Sequence, residues 1–344
     1  MRKDTMFTSP TELEDRLTIP SDALVSDLAS GSGDLVILGA GGKMGPTLAV
    51  LARRALDAAG RGTDAVHAVS RWSDSAQANH LRERGVSVHT ADLLADAEPE
   101  LPDGADVLFM VGAKFGSAAA PSWAWAVNAA LPDRVARRYA DSRITAFSTG
   151  NVYPLVPVTS QGADESHPVG PVGEYAMSCL GRERVFSHGA LTRGTPVSLI
   201  RLNYAADLRY GVLADIGATL LAGEPVDLTT GHVNVVWQGY ANEVTLRAMA
   251  HASPDVFTLN LTGPEVLPVE RIARRMAAGL GVEASFVGEA SPTALLNDAT
   301  RCFDMFGYPD VTAGQLIDWQ AEWLAAGLPT SGKPTKFAVR DGAF

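Results

Sequence analysis

Three glycines and a tyrosine–cysteine pair are the residues whose types and spacing point most directly to chemistry. Gly39, Gly42 and Gly45 follow the apolar run "DLVILGA" and lead into "MGPTLAVLARRAL". A G-x-x-G-x-x-G turn between a buried strand and a helix lets the backbone amides around Lys43 and Met44, and the positive helix end, approach a pyrophosphate closely. Glycines alone would also serve an ordinary tight turn, but a strand before them and a helix after them are what dinucleotide binding requires. In "EYAMSCLGRERVF", Tyr175 and Cys179 stand one helical turn apart and share a face. A neutral thiol there offers a phenol only a weak hydrogen bond, and a thiolate would raise the phenol's pKa. With no histidine near it in sequence and no papain-like signature, Cys179 is not expected to be a nucleophile.

The tip of the second apolar strand, Val69-Ser70-Arg71, bears on which dinucleotide binds. An acid there would accept the adenosine ribose hydroxyls, whereas an arginine pairs with a 2′-phosphate. Arg71 and the missing acid favour NADP, with NAD as the alternative if Arg71 is a solvated loop residue and Ser70 tolerates either.

The elements that must position these residues are legible in composition and pattern. With 344 residues and 46% hydrophobic content, the chain can bury a large core as one large domain or two medium ones. Its net charge of -11 argues against nucleic acid and for a small-molecule partner. Cys179 and Cys302 are far apart, so neither a disulfide framework nor a metal site is expected. Acids throughout the first thirty residues, with no apolar leader and no membrane-length run, point to a cytoplasmic protein with no membrane partner. Residues 1–33 read as a polar arm with a short helix around Glu12 to Leu17.

From Asp34, strand-like runs ("DLVILGA", "DAVHAVS", "VSVHTAD", "DVLFMVG", "RITAFST", "VSLIRLN") alternate with amphipathic stretches. That alternation predicts an α/β, doubly wound parallel sheet, a Rossmann fold, over 34–202. Residues 203–344 read mostly as a small mixed C-terminal substrate region, with late strands near 232–237 and 256–261 expected to rejoin the sheet.

The glycine turn, the segment "FSTGNVYP" at 147–154 and Tyr175 together resemble the extended short-chain dehydrogenase/reductases, the NAD-dependent epimerase/dehydratase family, from about Asp34 onward. The resemblance implies that Thr149, four residues before Tyr153 of the "V-Y" pair, hydrogen-bonds the reacting oxygen, and that Tyr175 moves its proton while hydride passes to or from a nicotinamide. It places Asp92, with Leu93, beside the adenine, Gly112 and Ala113 over the cofactor, and Asn128 near the reaction. The family's Tyr-x-x-x-Lys lysine, which holds the nicotinamide ribose and acidifies the tyrosine, is replaced by Cys179. Three readings stay open: another cation compensates, Lys114 first and Arg182 second; the chemistry needs no strongly acidified tyrosine; or the domain binds a dinucleotide without turnover.

For substrate, the resemblance implicates Asn151 and Asn203, and puts His232 where nucleotide-sugar members carry an arginine for the diphosphate. Losing that bidentate partner favours a free sugar, sugar acid or similar polyhydroxy compound. Gly150 and Asn151 replace the Asp-Glu pair of the sugar-nucleotide dehydratases, which disfavours elimination. The expectation is an NAD(P)-dependent oxidoreductase or epimerase of carbohydrate metabolism acting on a secondary alcohol, with a homodimer as the assembly allowed.

Overall fold

The structure, a computed structural model, describes residues 7–97 and 99–344. Seven strands make one fully parallel sheet: β1 (Leu35–Leu38), β2 (Val66–Ser70), β3 (Ser87–Thr90), β4 (Asp106–Phe109), β5 (Arg143–Thr149), β6 (Val197–Leu202) and β7 (Phe257–Leu261). Their spatial order is β3-β2-β1-β4-β5-β6-β7, so the winding reverses between β1 and β4. In such sheets, ligands bind outside the carboxyl ends of the strands at this reversal. Both strands there are buried along their whole length. Leu35 and Ile37 face one core cluster, and Val36 and Leu38 face the other.

The predicted doubly wound fold is therefore the observed one. Its helices lie close to the expected stretches: α3 (Gly45–Ala58) and α4 (Ser75–Glu83) follow β1 and β2, α5 (Pro121–Trp125) and α6 (Leu131–Arg138) follow β4, and α7 (Gly173–Arg193) follows β5. The C-terminal region supplies α8 (Val212–Leu221), α9 (Gln238–Arg247), α10 (Val269–Leu280), α11 (Thr300–Phe306) and α12 (Ala313–Ala325). No helix among the described residues is long and apolar enough to cross a membrane.

Two expectations need correction. The helix expected around Glu12 to Leu17 is α1 (Pro10–Leu17), but the segment is no polar arm: α2 (Asp22–Ala29) follows, and the N-cap hydroxyls of the two helices, Ser9 and Ser21, accept from Glu12 N and Leu24 N. Their i, i+4 pairs Leu13/Leu17 and Leu24/Leu28 are buried in the main core, each leucine worth roughly 2 kcal/mol of apolar transfer. Ion pairs from Arg54 to Asp15 (2.8 Å) and from Arg247 to Asp27 (2.6 Å) fix the helices over α3 and α9. Of the late strands, 257–261 joins the sheet beside β6, but 232–237 does not. His232–Val233 pairs with Leu267–Pro268, and Val236–Trp237 pairs with Ala205–Ala206, in two separate ribbons.

Candidate functional site

A cleft opens above the carboxyl ends of β1 and β4, where the sheet order reverses. It consists of two chambers, of about 370 and about 330 Å³, that share Gly39, Gly42, Met110 and Gly112. The glycine turn is the sill between them. Gly39 has φ +87°, and a Cβ there would stand 2.9 Å from Val111 N; at Gly45 a Cβ would meet Ala40 O at 2.3 Å. Both glycines are required for β1 and α3 to join so tightly.

The first chamber is lined by Ser70, Arg71 and Trp72 from the tip of β2, by Asp92 and Leu93 after β3, and by Gly112, Ala113 and Trp123. Asp92 Oδ1 accepts from Leu94 N at 3.0 Å, which fixes the loop's turn. Trp72 went unrecognised in the sequence although it directly follows Arg71. Its backbone is left-handed (φ +47°), and its indole N–H donates to His89 O at 2.7 Å, which holds the ring at the chamber wall.

The second chamber gathers Lys43, Met44, Lys114, Ser148, Tyr175, Arg182, Tyr204, Tyr210 and Thr335. Thr149 ends β5, and its Oγ1 accepts from Asn151 N at 3.2 Å. Thr149 and Cys179 are the uncharged side chains near enough to the Tyr175 hydroxyl to act on its ionisation. Burial, and then the adjoining Cys179, push the Tyr175 phenol up, while the Arg182 charge and the Thr149 hydrogen bond oppose the rise. Burial likewise pushes the Cys179 thiol up, so it is neutral in the ordinary pH range. Lys114 Nζ donates to Thr335 O at 3.1 Å and lies 5.7 Å from the Tyr175 ring centre. Burial, then the charge of Lys43, push the Lys114 ammonium down to about 8.

Asn128, fully buried, lies one layer behind the chambers. Its amide exchanges hydrogen bonds with Ala113 N and O, both 2.9 Å, and so fixes the loop after β4. It sits where 121–138 departs from one straight helix. Pro132 has no N–H for the Asn128 carbonyl, and the chain widens into a π turn over Ala126–Ala130, with Leu131 N donating to Ala126 O.

Asn203 is buried behind Gly150, and Asn151 borders a void of about 30 Å³ lined also by Tyr204, Arg340 and Phe344. His232 lines none of these spaces, and its Nδ1 is buried without a partner.

Sequence reading placed residues 333–344 in the C-terminal substrate region without singling out any of them; Thr335 lines the second chamber. Thr335 N donates to the Asp215 carboxylate at 2.7 Å, Arg340 donates to Thr293 O at 2.7 Å, and Gly116 N donates to Phe344 O at 3.1 Å. The Phe344 ring meets Tyr175 edge-on, with centroids 5.5 Å apart. No local pattern announces contacts between segments so distant in the chain.

No family model and no curated protein matches this chain. Solved structures do resemble it. A UDP-galactose 4-epimerase is similar at TM-score 0.66 and 19% identity, over 86% of this chain and 99% of the other. A UDP-N-acetylglucosamine 4-epimerase from Bacillus cereus gives TM-score 0.65 at 13% identity, over 86% and 99%. A UDP-glucuronic acid 4-epimerase from Bacillus cereus, solved in complex with NAD, gives 0.67 at 14%, over 85% and 99%. At these identities the likeness is one of fold: the chain has the architecture of the UDP-sugar 4-epimerase structures, sheet and C-terminal region together.

Proposed function

We propose that this chain is an NAD(P)-dependent oxidoreductase or epimerase that transfers hydride reversibly at a secondary alcohol of a sugar, sugar acid or similar polyhydroxy compound. The observation that carries the reading is the convergence of Tyr175 and the Thr149 end of β5 on the second chamber, which joins the first through the glycine turn. Two chambers astride a bare sill fit an extended dinucleotide, with the amides from Gly39 to Gly45 and the α3 N-terminus on its pyrophosphate. Ser70 and Arg71 would hold the adenosine ribose, and Asp92 and Leu93 the adenine. A bound nicotinamide would supply the hydride acceptor or donor. Thr149 Oγ1 orients the carbinol oxygen; Tyr175 Oη takes its proton on oxidation and returns it on reduction. Tyr204 lines the same chamber, and the Phe344 ring packs edge-on against Tyr175.

Space and charge support a small substrate. Residues 337–344 narrow the space beside Asn151 to a void of about 30 Å³, and no guanidinium occupies position 232. Epimerisation and net oxidation share the proton and hydride step, and Gly150 and Asn151 offer no acid-base pair for elimination. One observation favours a second reading, binding without turnover: the phenol is raised, and neutral Cys179 does nothing to lower it. A panel of sugars and sugar acids, assayed for reduced nicotinamide and for epimerised product, separates the two.

Two further results are expected. Arg71 is exposed at the first chamber, so Arg71→Ala should weaken NADP by roughly tenfold, the scale of one charge-assisted hydrogen bond, while NAD affinity stays within about threefold. Equal losses in parallel titrations, or a wild-type preference for NAD, would remove the NADP assignment. Lys114, ordinarily charged up to a pKa of 10.5, becomes neutral above about 8 and then no longer attracts an anionic ligand. Dinucleotide affinity should therefore begin to fall as pH rises past about 8, and Lys114→Met should abolish that step. A step that persists in the variant would assign it to another group.

A further inference from the structure

Arg182 is buried, with 4% of its surface exposed, yet among the described residues no carboxylate lies within ion-pair distance of it. The neighbouring Glu183 is turned to Arg201, with Nη2 2.8 Å from Oε2. Only neutral acceptors hold the Arg182 guanidinium: Phe147 O at 2.7 Å, Asn128 Oδ1 at 2.8 Å and Asn128 O at 3.4 Å. The last of these is the carbonyl that Pro132 leaves without a helical partner. A Cβ on Gly112 would stand 3.3 Å from Nη2, so the bare glycine keeps that side of the guanidinium open to the second chamber. Burying a cation without a counter-ion is costly, and neutral dipoles recover only part of that cost. The arrangement calls for negative charge that arises nearby.

The group positioned to supply it is Tyr175, two turns earlier on the same face of α7. We propose that Arg182 is a positioning residue whose guanidinium, bracketed by Asn128 and Phe147 beside Gly112, stabilises the deprotonated Tyr175 phenol. This rests on the reading that Tyr175 moves the proton. Of the groups facing the phenol, Cys179 and Arg182 come from its own helix and Lys114 from the loop after β4. Strand β5 contributes the Thr149 hydroxyl, and residues 333–344 contribute the Phe344 ring. Lys43, Asp215 and Lys336 surround Lys114. Cys179 is neutral, and Lys114 loses its charge above about 8, so Arg182 is the facing cation that keeps its charge where a phenol ionises.

The test reads ionisation without substrate or cofactor. A polyfluorinated tyrosine placed at 175 in the full chain, acidic enough to titrate within the stable pH range, is followed by fluorine NMR. Arg182→Gln should lower its ionisation constant by at least about tenfold, or 1.4 kcal/mol. Arg182→Lys should stay within about threefold of the parent, and Lys114→Met should move it less than Arg182→Gln does. A folded Arg182→Gln protein with an unmoved titration overturns the proposal, as does a larger effect from Lys114→Met. If Arg182→Gln does not fold, Arg182→Lys decides: a tenfold or larger loss there overturns the proposal, and retention within about threefold supports it. A titration that follows Arg182 while Tyr175→Phe turns over normally would leave the electrostatic assignment intact and remove the proton-transfer reading instead.

Discussion

Tyr175→Phe should lower turnover by about 10²- to 10⁴-fold, the range for losing a positioned proton-transfer group, or roughly 3 to 5.5 kcal/mol of barrier. The substitution removes one oxygen and leaves the ring, so the edge-on contact with Phe344 and the packing of α7 remain. Thr149 still presents its hydroxyl, but nothing left at the reacting oxygen exchanges a proton: Cys179 is buried beneath and neutral, and Lys114 donates to Thr335 O. Dinucleotide affinity should stay within about threefold, because the glycine turn is untouched. Steady-state kinetics beside a cofactor titration read both quantities. A variant with undiminished turnover would place the proton transfer elsewhere.

Gly42→Val should weaken dinucleotide binding by at least about 100-fold, some 2.7 kcal/mol, with little change in melting temperature. Of the three turn glycines, this is the one that separates binding from folding. A side chain at Gly45 would collide with Ala40 O, and Gly39 holds a left-handed backbone. At Gly42 the nearest atom to an added Cβ is Gly39 O at 3.5 Å, an ordinary contact, so valine projects into the space shared by the two chambers. A fluorescence titration showing unchanged affinity would move the pyrophosphate away from this turn.

What the sequence made legible is what local chemistry encodes. The glycine turn, the alternation of strand and helix, and the face shared by Tyr175, Cys179 and Arg182 all follow from spacing within one or two elements. The short helix around Glu12 to Leu17 was legible in the same way, whereas the leucine pair 24/28 of the second helix was not singled out. The stretch 232–237 looked like a strand because valines crowd it, but it divides between two ribbons whose partners, 205–206 and 267–268, come from opposite directions along the chain. The surroundings of Arg182 were hidden for another reason. They depend on Pro132 freeing the Asn128 carbonyl some fifty residues upstream, and on a glycine at the end of β4. Residues 333–344 reach the site through contacts with Lys114, Gly116, Tyr175, Asp215 and Thr293, which no periodicity reveals.

The most direct test is to incubate the purified chain with NADP and a panel of free sugars and sugar acids, following the absorbance of reduced nicotinamide and the appearance of epimerised sugar, with Tyr175→Phe in parallel. Wild-type protein should yield one or the other product with at least one member of the panel, and Tyr175→Phe should yield neither at a comparable rate. Stoichiometric cofactor binding with neither product anywhere in the panel would contradict hydride transfer and make this a dinucleotide-binding protein without turnover.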